Sequence, residues 1–102
     1  MIYIEEYELT DSSKMDELKK IYDVSKTIFD ELNLSYIKNY TVYHSTENPN
    51  KIRGVIIYNE DGNTEKLWED YLSHPKSSWV IEKIHEIIKP GKNDTYKVLY
   101  PF

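Results

Sequence analysis

Cysteine is absent from the 102 residues, which excludes disulfides, thiolate metal sites and a cysteine nucleophile. Alanine and glutamine are absent too, while Ile, Lys, Tyr and Asn abound, a bias that fits an AT-rich coding sequence and says nothing of function. No apolar run approaches the ~18 residues of a membrane span, so no membrane partner is expected. Arginine occurs once, at Arg53, and the formal net charge is −5. Nucleic-acid affinity rests on neutralising phosphates with Lys and Arg, so that composition argues against nucleic-acid partners. The opening "MIYIEEYELT" reads as a strand without the basic stretch of a signal peptide, and a cytoplasmic location is expected. The N-x-S/T matches at Asn33, Asn39 and Asn93 then carry no glycan. Length and the lack of any linker, repeat or low-complexity tract predict a single domain over 1–102 with one core.

What is present is a legible order of elements. "IYIEEYEL" (2–9) alternates and is rich in Tyr and Ile, predicting a first strand. Asp11 or Ser12 offers a cap for the helix that follows. There Met15, Leu18, Ile21, Tyr22, Ser25, Ile28, Phe29 and Leu32 fall on one stripe at helical spacing, with charges opposite. A second strand is predicted over 35–46, a third over 52–59, and Thr64 can cap a helix through "EKLWEDYL". "SSWVIEKIHEIIK" resumes the helical period, and "TYKVLYPF" predicts a fourth strand.

The order βαββαβ predicts an α+β, ferredoxin-like fold: a four-stranded antiparallel sheet with two helices on one face. The other face should then be polar. Strand three does not oblige, being apolar on both sides at Val55, Ile56 and Ile57. The last strand sets Tyr96, Val98, Tyr100 and Phe102 against Leu99 on the opposite side. Both faces therefore call for cover, and a second sheet would supply it.

"DYLSHPKSSW" (70–79) predicts that the second helix is broken at His74-Pro75. Proline disfavours helical geometry in the residue before it and fits the first turn of a new helix. Beyond the break, Val80, Ile81, Ile84, Ile87 and Ile88 form the buried stripe, and Trp79 points toward the charged side. It is expected at a pocket, at an interface between chains, or against the first helical piece.

Few residues carry candidate chemistry. Glu5 shares a strand face with Tyr3 and Tyr7, so one carboxylate of the Glu5-Glu6 pair should point inward, where burial would make it a proton acceptor. The competing expectation pairs Glu5 with a lysine such as Lys97. His44, at the end of the second strand on the face of Tyr40 and Val42, is a second candidate, more simply read as a strand-end residue. His74 is explained by the helix corner. The three histidines show no ligand spacing, so no metal is expected. "KIRGVIIY" (51–58) echoes the strand motif of RNA-recognition domains, but Val55 and Ile57 stand where stacking aromatics are needed. Gly54 suggests close approach within a central strand, and Ser25 either floors a pocket or lets helix and sheet draw together.

The βαββαβ order, the opening "MIYIEEYEL" and the segment "LWEDYLSHPKSSWVIEKI" together resemble the dimeric α/β-barrel superfamily, in its NIPSNAP-like and antibiotic-biosynthesis-monooxygenase-like branches. Those branches often carry an aromatic-rich helix, a break before proline and then a tryptophan, matched here by His74-Pro75 and Trp79. The resemblance implies a homodimer whose sheets pack face to face, with a cleft between sheet and helices. It implies a small apolar or aromatic compound bound or transformed without a bound cofactor, by monooxygenase-like or isomerase-like chemistry. Tyr7 and Tyr40 would orient the compound, and Trp68 and Trp79 would wall the cleft, with Glu5 or His44 handling a proton. The haem-degrading branch uses Asn, Trp and His; the matching positions here fall at Tyr7, near Tyr71 and near Ile81, with His85 a turn later, and all depart from that pattern. The alternative is a non-catalytic assembly or regulatory homodimer with the cleft packed shut, and the sequence leaves open whether the protein is an enzyme.

Overall fold

The computed structural model describes residues 1–59 and 61–90 in full and residues 95–99 by their backbone. The elements run β1 (Ile2–Glu8), α1 (Met15–Leu32), β2 (Ile37–His44), β3 (Lys51–Tyr58), α2 (Thr64–Ser73), α3 (Ser77–Ile87) and β4 (Thr95–Leu99). The strands form an antiparallel sheet in the order β2-β3-β1-β4, the split βαβ arrangement of a ferredoxin-like α+β fold. β1, β2 and β3 carry described side chains. The side chains expected to alternate along the last strand, Lys97 among them, lie outside the described residues.

Local chemistry sets the element ends. Asp11 caps a single 3-10 turn, Ser12–Lys14, by accepting from the Ser13 backbone N–H at 2.8 Å. The long helix starts only after that turn, at Met15, so neither Asp11 nor Ser12 caps it. It ends at Asn33, whose left-handed backbone (φ 48, ψ 53) lets its N–H donate to the Phe29 carbonyl at 3.1 Å. Asn63, not Thr64, caps α2: its side chain accepts from the Lys66 N–H at 2.8 Å, leaving Thr64 as the first helical residue. The amide oxygen one residue earlier reaches the orphan donor better than the hydroxyl.

The break at His74-Pro75 divides the second helical segment into α2 and α3. His74 is extended (φ −78, ψ 133), as the following proline demands. Pro75 sits in the turn ahead of α3 and not in its first helical turn, because the helix begins at Ser77 with Lys76 as its N-cap. The corner is tied down on three sides. The Lys76 backbone N–H donates to His74 Nδ1 at 3.1 Å, the Ser77 hydroxyl donates to the His74 carbonyl at 2.8 Å, and His74 Nε2 meets the Glu31 carboxylate on α1. An acceptor role at Nδ1 makes Nε2 the N–H donor toward Glu31.

Register sorts the two sheet faces. Tyr3 pairs with Ile56, Glu5 with Gly54 and Tyr7 with Ile52, and this set turns toward the helices. Two apolar clusters lie there. One gathers Leu9, Ile21, Ile28, Ile52 and Ile87 with Tyr71; the other gathers Tyr3, Tyr36, Ile56, Tyr58 and Leu67. Each fully buried aliphatic side chain contributes roughly 1.5–3 kcal/mol. On the opposite face Ile2 pairs with Ile57 and Ile4 with Val55, all half-buried. The Glu6–Arg53 ion pair (2.9 Å) borders them. No described helix covers that face.

The β3–α2 connection is closed by a glycine with no room for a side chain. A Cβ on Gly62 would stand 2.8 Å from the Tyr36 carbonyl oxygen and 2.8–2.9 Å from Tyr58 atoms. Gly62→Ala should therefore lower stability by about 1–3 kcal/mol, measured as a lower urea midpoint with unchanged slope.

Candidate functional site

Between the helical layer and the inner sheet face, where the two apolar clusters meet, lies a cavity of 380 Å³. β1 supplies Tyr3, Glu5 and Tyr7, and β3 supplies Gly54 and Ile56. Strand alternation turns every second residue to one face, which puts these five on a single surface. α1 contributes Ser25 and Phe29, and α2 contributes Leu67, Trp68 and Tyr71. Val80, Ile81, Ile84 and His85 come from α3, which reaches the cavity because the corner at His74 redirects the chain.

Aromatic rings make much of the wall. Phe29 lies 4.4 Å from Tyr40 and 5.6 Å from Tyr71, ring centre to ring centre. Trp68 stands edge-on to Tyr71 at 5.9 Å, and Tyr22 edge-on to Tyr40 at 5.4 Å, both favourable quadrupole geometries. Among these rings sits a small polar centre. The Tyr40 hydroxyl donates to Ser25 Oγ at 3.3 Å, and Ser25 Oγ shares a hydrogen bond with the Tyr71 hydroxyl at 3.0 Å. The Tyr7 hydroxyl lines the same cavity and makes no hydrogen bond to a described residue.

Burial and charge hold these phenols neutral. Desolvation pushes the Tyr7 hydroxyl well above the usual phenol value, and the Glu5 carboxylate pushes it further. Tyr40 is raised by burial against the opposing effect of its bond to Ser25. Tyr71 is raised by burial, lowered by Ser25 and raised again by Glu5. Glu5 is thus close enough to act electrostatically on phenols from both β1 and α2.

The residues singled out in the sequence do not all meet here. Glu5, Tyr7, Tyr40 and Trp68 line the cavity. His44 does not: it is exposed at the end of β2, its Nδ1 beside the Ser45 carbonyl at 3.3 Å, where the strand has run past the helices. Trp79 is not a lining residue either. It is 40% exposed, because the α3 face that meets the cavity carries Val80, Ile81, Ile84 and His85. Gly54 is not a point of close approach, since a Cβ there would come no nearer than 4.0 Å to the Glu5 carbonyl oxygen; it opens onto the cavity instead. Ser25 joins the hydroxyl group and floors the cavity.

Tyr71 and His85 were missed. Tyr71 follows Leu67 by one helical turn, and that i, i+4 pair of buried residues on α2 was the available signal. His85 sits on the exposed rim, donating from Nδ1 to the Ile81 carbonyl at 2.7 Å. A carbonyl only accepts, so the Nε2 lone pair is left outward.

No group of three or more metal-ligating side chains forms among the described residues, and no described helix is long and apolar enough to cross a membrane. No protein-family model matches the sequence, and no curated protein does. Solved structures match over nearly the whole chain. One is a Chloroflexus aurantiacus protein whose name places it among antibiotic biosynthesis monooxygenases: TM-score 0.71 at 17% identity, covering 100% of this chain and 94% of that one. Another is SnoaB, a cofactor-independent oxygenase from Streptomyces nogalater: TM-score 0.69 at 6% identity, covering 99% and 93%. A third is the Mycobacterium tuberculosis protein Rv0793, with TM-score 0.66 at 11% identity, covering 99% and 93%. The likeness is one of fold: this chain shares the ferredoxin-like α+β fold of these structures.

Folding keeps the phenol protons of Tyr7, Tyr40 and Tyr71, whereas the unfolded chain releases them near the ordinary value of about 10. Their contribution to stability is therefore full below that pH and is lost as pH rises above it. The urea midpoint should fall between pH 9 and pH 11, roughly, and should fall less steeply in Tyr40→Phe, which removes one of the three groups.

Proposed function

We propose that this protein is a homodimeric α/β-barrel that binds, and can transform, a small apolar or aromatic compound without a bound cofactor. The observation that carries the reading is the cavity itself. At 380 Å³, lined by rings and aliphatic side chains around a few converging hydroxyls and one carboxylate, it has the size and chemistry of a small-molecule site. The open cavity supports this reading over a purely structural dimer with its cleft packed shut. The fold shared with a cofactor-independent oxygenase favours monooxygenase-like or isomerase-like chemistry. Within this reading Tyr7 and Tyr40 orient the compound, Trp68 walls the cavity and Glu5 handles a proton. His44 and Trp79, away from the cavity, take no part in it.

The sheet face that no described helix covers supports the dimer. Ile2, Ile4, Val55 and Ile57 form an apolar patch on the strands opposite the helices, and the Glu6–Arg53 pair at its border brings both charges to one edge. A second copy of the same face is self-complementary about a two-fold axis. The paired sheets would give the two-layer cover that their apolar outer residues require.

Native mass spectrometry of the purified protein tests both elements together. A dimer, with added mass from retained apolar compound in part of the population, is the expected result. A monomer at tens of micromolar, roughly the range where a modest homodimer should persist, would overturn the assembly. Val55→Glu sets a carboxylate in each half of the patch and should weaken the dimer at least about tenfold while leaving the circular dichroism of the subunit intact.

A further inference from the structure

The hydroxyls in the cavity can be counted against their contacts. Ser25, Tyr40 and Tyr71 bring three O–H protons to two oxygen–oxygen contacts. Tyr40 spends its proton on Ser25. If Ser25 then donates to Tyr71, the Tyr71 proton is unspent; if Tyr71 donates to Ser25, the Ser25 proton is unspent. Either way one donor remains. Tyr7 adds another, because its hydroxyl lines the same cavity without a hydrogen-bond partner among the described residues. These donors open onto the cavity without a described protein acceptor, and an acceptor atom on a ligand would meet them better than apolar surface would.

Charge narrows the choice. Among the described lining residues there is no Lys or Arg, and most of the wall is rings and aliphatic side chains. No described cation would offset the desolvation of an anionic ligand in these apolar surroundings.

Resting on the small-molecule reading above, we infer that the Ser25–Tyr40–Tyr71 hydroxyl group, with Tyr7, selects a neutral apolar ligand carrying a carbonyl or ether oxygen over the corresponding carboxylate. Rings and aliphatic side chains enclose the hydrocarbon body. The unspent hydroxyl protons fix which end of it points at the sheet.

Three bicyclic probes of matched size separate the terms: 1-tetralone, tetralin and 1,2,3,4-tetrahydro-1-naphthoate, titrated into the full chain and followed by amide chemical shifts. The ketone should bind about tenfold more tightly than the hydrocarbon, and the carboxylate at least about tenfold more weakly than the ketone. In the hydroxyl-free variant Y7F/S25A/Y40F/Y71F the ketone and the hydrocarbon should bind equally. Removing every partner of a buried network at once leaves no orphaned group, and a thermal melt reports whether this variant folds. Tyr7→Phe, which removes one cavity donor without breaking a described hydrogen bond, should narrow the ketone's advantage over the hydrocarbon about threefold, and it tests the hydroxyl term should the multiple variant fail to fold. Equal affinity of wild type for tetralone and tetralin, or a ketone preference that survives in the hydroxyl-free variant, overturns the inference while leaving the cavity a binding site. Failure of all three probes to bind overturns the small-molecule reading itself.

Discussion

β1 lies between β3 and β4, and that placement governs most of what surrounds it. A strand paired on both edges cannot tilt away from either layer, so its alternation is transmitted as a strict division of side chains. Tyr3, Glu5 and Tyr7 are committed to the helical side, and Ile2, Ile4 and Glu6 to the other. A slip of one residue would exchange the two sets, placing isoleucines in the cavity and Glu5 on the apolar face. The paired register with β3, seven residues long from Ile2↔Ile57 to Glu8↔Lys51, holds the chain against such a slip. A carboxylate can therefore be held among rings without being carried there by a flexible loop.

The helical layer obeys a second constraint, the corner at His74. A single continuous helix from Thr64 to Ile87 would present one straight stripe to the sheet. Divided, it brings Leu67, Trp68 and Tyr71 from one direction and Val80, Ile84 and His85 from another, and the cavity lies between. His74 is 8% exposed, and its two ring nitrogens are committed in opposite senses, one accepting from the α3 side and one facing Glu31 on α1. The Glu31 carboxylate is in turn held below its usual range by that contact. One imidazole thus joins all three helices, and its own backbone N–H donates to the carbonyl of Tyr71, one of the phenols in the cavity.

Much of this was legible in the sequence because it depends on periodicity. The stripe of α1, the alternation of β1 and the break before Pro75 each follow from a local rule that tertiary packing did not override. The inward turn of Glu5 follows from the same rule. The departures have equally local causes. The caps shifted because a 3-10 turn precedes α1 and because an asparagine stands one residue ahead of Thr64. Trp79 and His44 could be placed on an element but not relative to a cavity, since that depends on the angle between α2 and α3 and on where β2 outruns the helices. Tyr71 and Ser25 belong to different elements, 46 residues apart, and nothing along the chain indicates that their oxygens meet.

Gly54 sits opposite Glu5 in the β1–β3 pairing and opens onto the cavity; among the described residues a Cβ there would meet only the Glu5 carbonyl oxygen, at 4.0 Å. The backbone there would accept a larger residue, and the space taken would come out of the cavity floor beside the carboxylate. Position 54 is thus a gauge for the depth of the binding space. Chains of this fold could be retuned from longer to shorter ligands by one substitution in a central strand, with the hydroxyl group and the helix corner left as they are.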